Sequence, residues 1–454
     1  MRGHPRHGGR VARGRSGAQT ARPGADKSLT SRSHIADLLG ASRLAVEATT
    51  GLADVVEAMH EAIARVPGLR APVPGRTRGI TGLVYGSIRG VTRGVGHGLD
   101  ALLPAIARRR ELRASSARRD AAVAALNGVV GDHLEATGNP LAIPMRLSHG
   151  GRPLALVRRA LEADVPRPSG RLLVMVHGLC VGHGQWNRNG HDHGAALGRD
   201  LGYTVLYLDY NSGLHVSANG RSLAERLEAL VEEWPIPVEE LAILGHSMGG
   251  LVARSACHHG AAAGQRWPRR LRALVFLGTP HHGAPLERVG NWVDATIGVS
   301  RYTAPLGRLG RIRSAGITDL RHGNLLDADW KGRDRFALTR DRRTPVPLPD
   351  GVLCCAVAAT TASSSRGPGR WLPGDGLVTV DSALGRHRKP AWTLPLPASR
   401  VWVGHRMNHF DLLSRPEVYE RIRGWLQVAR ADPHDAPAGV GAPPSSSPRS
   451  PPRS

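Results

Sequence analysis

The sequence predicts an α/β fold, a three-layer sandwich with a mostly parallel central sheet, and three observations carry that expectation. Six short apolar runs, "RLLVMVHG", "YTVLYLDY", "LAILGHS", "LRALVFLGTP", "GVLCCAVAAT" and "RVWVGH", recur from Arg171 onward. Near-continuous apolar runs of this length mark strands covered on both faces. Helical segments such as "NGRSLAERLEALVEEW" alternate with them, as crossover helices do between parallel strands. An apolar fraction of 41% in 454 residues supplies at least one sizeable core.

Taken in order, residues 1–30 form a basic arm and residues 431–454 a Pro- and Ser-rich tail, both expected to be disordered because their residues gain little by packing. Residues 31–140 read as a helical region. Its first segment carries Leu52, Val55, Val56, Met59, Ile63 and Val66 at three- and four-residue steps, one apolar stripe, until "VPGLRAPVPG" breaks it. In the second segment Ile80, Val84, Ile88, Val91, Val95 and Leu99 keep helical period beside Gly82, Gly86, Gly90, Gly94 and Gly98, with Arg76, Arg78, Arg89 and Arg93 for the polar side. Each internal glycine costs roughly 0.5 to 1 kcal/mol of helix propensity. Two uses compensate that cost: close packing, within the chain or across a homodimer, and insertion at a membrane or lipid surface. Small residues throughout favour packing. A third helical stretch, near residues 111 to 135, is expected to complete a small bundle or hairpin cap. Residues 141–430 form the α/β domain, and within it residues 281–345 are too long for an ordinary connection, a candidate cap or lid.

Charge narrows the partners. Lys and Arg number 61 against 37 Asp and Glu, a net +24, which disfavours a strongly cationic substrate and says nothing of fold. The basic arm lacks interleaved aromatic residues, so no specific nucleic-acid partner is expected. Cys180, Cys257, Cys354 and Cys355 have neither zinc-pair spacing nor the density of a disulfide scaffold. The paired histidines His258 and His259, or His281 and His282, do not point the same way on one element, and "GHGQWNRNGHDHG" lacks the phosphate-cradle pattern. Neither a metal nor an organic cofactor is expected. No apolar h-region follows the basic N-terminus, and no uncharged run reaches the roughly 20 apolar residues of a span. The expected location is cytoplasmic, with peripheral contact at a membrane or lipid surface.

The strongest chemical signal is "LAILGHSMGG". Small residues at Gly245 and Gly249 let the backbone turn sharply between strand and helix and present Ser247 as a nucleophile. Serine at its ordinary pKa is a poor nucleophile and needs a histidine base oriented by a carboxylate. Downstream, "WLPGDGLVTVDSAL" offers Asp375, with Asp381 and Asp411 as alternatives that read as a surface group and a helix-start cap. "VWVGHRMNHFDLL" offers His405 and His409; His409, farther into the loop, can reach back over the sheet. Oxyanion donors are expected at the backbone N–H of Met248, which starts the helix, and of Leu179 in "VMVHGLCVGHGQW", with Cys180 as the alternative.

The motifs "VHGLCVGHGQW", "LGHSMGGLVARSA", "GTPHHGAP", "GDGLVTVDSA" and "GHRMNHFDLL" together resemble the serine esterases and lipases of the α/β-hydrolase superfamily, in particular the bacterial lipase-like branch related to the GPI inositol-deacylase hydrolase domain. The resemblance covers roughly residues 145 to 430. It implies Ser247 as nucleophile, Asp375 as acid, His409 as base, Leu179 and Met248 as oxyanion donors, and "TPHHGAP" as a loop lining the acyl pocket. The expected activity is hydrolysis of a carboxylic ester or lipid through an acyl-enzyme. Leu286, Val289, Trp292 and Val293 near the start of the insertion favour an acyl chain over a peptide. The alternative is a lipid- or granule-surface scaffold on a hydrolase fold, suggested by the glycine-periodic helix.

Overall fold

A computed structural model describes residues 37–50, 86–87, 89–95, 97–98, 117–284, 313–335, 341–363 and 374–431. The basic arm, the stripe from Leu52 to Val66, the insertion residues Leu286 to Val293 and all but the first residue of the tail lie outside the described residues.

Eight strands form one mixed sheet: β1 (Arg146–His149), β2 (Arg152–Pro153), β3 (Arg171–Val176), β4 (Thr204–Asp209), β5 (Glu240–His246), β6 (Leu271–Leu277), β7 (Leu353–Thr360) and β8 (Val401–His405). Their order is β2-β1-β4-β3-β5-β6-β7-β8. The six apolar runs became β3 to β8, all parallel, whereas β1 pairs antiparallel with both β2 and β4. The β1–β2 hairpin was not legible as a strand pair. Its turn, Gly150 and Gly151 at φ 56° and 78°, matches a tight hairpin turn, but only Leu147 among its side chains enters the hydrophobic core.

Alternation along the strands divides two cores. Leu172, Val174 and Val176 of β3 face one side with Leu241 and Ile243 of β5, while Leu173 and Met175 face the other with Ala242 and Leu244. Burial on both faces explains why these strands read as unbroken apolar runs rather than as alternating ones. Helices Val216–Glu233 and Met248–Ala262 cover the first face; His193–Leu201 and Pro416–Ala431 cover the second. Cys354 and Cys355 fall into opposite cores, and all four cysteines are free and buried.

The third helical stretch is observed as helix Ala117–Ala136, and it packs on the α/β domain. Val129, Val130 and Leu134 join the same core as β3 and β5. Helix 37–50 lies against it through an Asp37–Arg119 ion pair and a 2.6 Å His133–Glu47 contact. The glycine-periodic stretch is described in part. A Cβ at Gly86, Gly90, Gly94 or Gly98 would meet nothing within 4 Å, and Val91 and Val95 are 67% and 56% exposed. Close packing of this stripe within the chain is therefore not found among the described residues. Arg89, assigned above to the polar side, is instead buried at 7% exposure. A glycine repeat permits close approach but does not supply the partner.

Within the insertion, residues 281–284, 313–335 and 341–345 are described. Ile317 and Leu320 enter the main core, and the Gly316 N–H donates to the Gly213 carbonyl at 3.0 Å. This part is built into the domain. Among the described residues no helix is long and apolar enough to cross a membrane.

Candidate active site

β3 is flanked by β4 on one side and β5 on the other, so the connections diverge there and open a crevice beyond the strands' carboxyl ends. The loops after β3, β5, β7 and β8 deliver the predicted residues to it. Ser247 sits between β5 and helix Met248–Ala262 at φ 57°, ψ −125°, a conformation that costs a non-glycine residue about 1 to 3 kcal/mol. The turn is held by the Ser247 N–H donating to the Leu277 carbonyl at 2.8 Å and the Gly250 N–H donating to the Ser247 carbonyl at 3.1 Å. Glycine is required on either side. A Cβ at Gly245 would stand 2.7 Å from the Gly250 backbone, and one at Gly249 would overlap the Val176 carbonyl.

Asp375 and His409 meet although far apart in sequence. The His409 Nδ1 donates to Asp375 Oδ2 at 2.7 Å, and Asp375 Oδ1 accepts from the Leu377 and Val378 N–H groups at 2.9 and 2.8 Å. The His409 N–H also donates to the Asp375 carbonyl at 3.1 Å. Both side chains are buried. An acceptor fixed at Nδ1 sets the tautomer in which Nε2 carries the lone pair, the form a general base needs. The alternatives fall elsewhere: Asp381 is an exposed partner of Arg386 at 3.9 Å, Asp411 accepts from the Asn408 N–H at 2.8 Å, and His405 ends β8 away from the serine pocket.

Ser247, Leu179 and His409 line one small pocket with Gly178, Val181, Gln185, His246, Leu377 and Phe410. Ser247 is 1% exposed, and the cavity is only about 10 Å³. Among the described residues Ser247 Oγ has no hydrogen-bond partner, so the serine–histidine contact is not closed in this structure; such bonds often tighten only when substrate binds. Gln185 and His246 were not singled out from sequence. The Gln185 amide atoms are buried without partners among the described residues, and the only sequence cue was their place just beyond the loop after β3. The His246 ring lies 4.6 Å from that of His409 and its Nε2 is 3.2 Å from the His409 carbonyl. Burial, with His409 beside it, holds His246 well below the usual histidine range, so it packs there as a neutral ring.

The loop after β3, which carries Leu179, is braced from below. The His177 carbonyl accepts from Tyr210 Oη at 2.8 Å and the two rings stack at 4.3 Å; burial lowers His177 to about 4, so it organises the loop as a neutral group. The Cys180 N–H donates to Ser212 Oγ at 3.1 Å, which occupies the alternative oxyanion donor and leaves Leu179 facing the pocket. Met248 is the first residue of its helix, where N–H groups have no intrahelical acceptor. Cys180 itself sits at φ 62°, directly over Gly128 of helix Ala117–Ala136: a Cβ there would stand 2.7 Å from the Cys180 N and Cα. Gly128 also anchors the insertion through its carbonyl, which accepts from Ser314 Oγ at 2.6 Å. Gly128→Ala is thus expected to cost about 1 to 3 kcal/mol by overpacking, despite a propensity gain near 1 kcal/mol. Any hydrolysis that uses the Leu179 N–H as an oxyanion donor should fall about tenfold or more as Leu179 shifts. Gly424→Ala, whose Cβ meets nothing, should raise stability by roughly 0.5 to 1 kcal/mol with unchanged turnover. Thermal unfolding and steady-state kinetics of the two variants check this.

Among the described residues no group of three or more His, Cys, Asp or Glu side chains could hold a metal ion. The whole is an α/β-hydrolase-like fold: a mostly parallel eight-stranded sheet with a strained serine turning β5 into a helix. A family model described as a domain of unknown function, DUF7379, matches residues 150–320. No curated protein matches the sequence. Solved structures similar to this chain include lipases and esterases. The mature form of Bacillus licheniformis lipase BlEst2 aligns at 18% identity and TM-score 0.35, over 58% of this chain and 95% of that one. EstA from Clostridium botulinum aligns at 14% and 0.32, over 58% and 90%. The Pyrococcus furiosus esterase Pf2001 aligns at 14% and 0.34, over 57% and 81%.

Proposed function

We propose that this protein is a serine carboxylic-ester hydrolase, an esterase or lipase that works through an acyl-enzyme. The observation that carries the reading is the Asp375–His409 pair, joined at 2.7 Å, in the loops around a serine held at φ 57°. Ser247 attacks the ester carbonyl while His409 takes its proton; Asp375 stabilises the imidazolium that forms. The Leu179 and Met248 N–H groups receive the oxyanion. His409 then protonates the departing alcohol and activates water to release the acid. Gln185, with its unpaired amide beside Ser247, is the group placed to bind a polar atom of the ester.

The scarcity of space at Ser247 has a consequence for substrate. A cavity of about 10 Å³ holds a water-sized group, so the acyl chain enters only as the pocket's own wall, Phe410 and Val181 among it, moves. The reading is tested by hydrolysis of p-nitrophenyl butyrate and octanoate in the presence of a chelator. Saturable turnover of at least one ester is expected, and failure to cleave any acyl ester would overturn it.

A further inference from the structure

A second cavity, of about 210 Å³, shares no lining residue with the serine pocket. Its polar wall is Arg254, His281, His282 and Arg343, and its apolar wall includes Val346 and Trp392. Arg254 comes from the helix that follows Ser247 and is 4% exposed. Among the described residues no carboxylate pairs with it. One terminal nitrogen donates to His281 Nδ1 at 3.3 Å, the other to the Val346 carbonyl, and Nε makes no hydrogen bond.

Its neighbour is a second cation. Arg343, 8% exposed, donates to the His281 carbonyl at 2.6 Å and to His282 Nδ1 at 2.8 Å. The nearby carboxylates serve Arg343 and the backbone: Asp341 lies 3.2 Å from Arg343 Nε, and Asp329 accepts from the Leu325, Leu326 and Thr344 N–H groups.

Burying a guanidinium beside another, with no counter-charge of its own, is costly. Burial and then Arg343 lower Arg254 to about 10, which still leaves it protonated at neutral pH. Because His281 Nδ1 accepts from Arg254, the neutral ring carries its proton on Nε2, and that N–H has no acceptor among the described residues. The cavity therefore has a buried cation and donors in excess of acceptors.

We propose that this cavity binds a small organic oxyanion, its carboxylate or phosphate head on Arg254 with His281 and Arg343 beside it and its apolar body against Trp392 and Val346. The Trp392 ring already holds the Arg343 guanidinium, 5.0 Å from its centre, and so orients that cation at the cavity. The proposal stands independently of ester hydrolysis, because its readouts are binding and stability.

The test is calorimetric titration and thermal unfolding of the full chain with sodium butyrate and with inorganic phosphate, at ionic strength held constant with sodium chloride. A saturable rise in Tm of about 5 °C at about a hundred times Kd is expected for at least one of them. A response to butyrate alone assigns a carboxylate, and a response to phosphate alone assigns a phosphate. Arg254→Gln should weaken binding at least tenfold, whereas the exposed Arg266→Gln should not change it. If Arg254→Gln does not fold, the wild-type titration together with Arg343→Lys decides. No saturable binding of either anion, or equal binding in Arg254→Gln, overturns the proposal.

Discussion

Ser247→Ala is expected to lower kcat for p-nitrophenyl esters by about four to six orders of magnitude while leaving the fold intact. The size follows from the geometry. The turn that strains Ser247 is made by backbone hydrogen bonds and flanking glycines, none of which uses the hydroxyl, so alanine removes the proposed nucleophile and little else. His409→Ala should cost about as much, and the double variant little more than either, because the residues act as a unit. Asp375→Asn should lower kcat by about two to four orders of magnitude, since an amide no longer favours the imidazolium. Asp381→Asn, at an exposed ion pair with Arg386, should change it less than about tenfold. Full activity in Asp375→Asn with a collapse in Asp381→Asn would move the acid to Asp381.

Acid should unfold the protein well above the carboxylate range. Burial lowers His177 and His193 to about 4, and His246 and His281 well below the ordinary histidine value. These rings are neutral in the folded chain but protonate near pH 6.5 once unfolded, so below that pH the unfolded chain binds more protons. Stability is complete above about pH 6.5 and falls as pH drops toward 4. A shift of this size is worth about 3 kcal/mol for each of His177 and His193, and together they approach the whole stability of a typical domain. Circular dichroism against pH should show unfolding near pH 5. His193→Gln, which removes one such ring from its hydrogen bond to the Leu412 carbonyl, should move the midpoint downward. A flat stability between pH 6.5 and 4.5 would contradict the argument.

What could be read from the sequence followed from local chemistry. β3 to β8 were legible because burial on both faces makes a continuous apolar run, and the Ser247 elbow because two glycines and flanking elements leave few alternatives. Asp375 and His409 were legible by their order after the serine, but their union is a long-range fact that only the fold supplies. The edge hairpin was invisible because just Leu147 is in the core. A Cβ on the glycine repeat at Gly86 to Gly98 would meet no neighbour within 4 Å among the described residues of the chain; spacing records what a helix permits and not what lies beside it. Gly128 and Arg254 show the converse. Nothing in their neighbourhoods distinguishes one helical glycine or arginine from the many others, and their meaning comes from Cys180 and His281 across the fold.

The central claim is that Ser247 is an activated nucleophile. It is tested most directly by incubating the folded protein with a fluorophosphonate probe and locating the adduct by peptide mass spectrometry. The account predicts stoichiometric labelling on Ser247, abolished in Ser247→Ala and strongly slowed in His409→Ala. Labelling of another residue, or none on a folded protein that remains reactive toward no acyl ester, would contradict it.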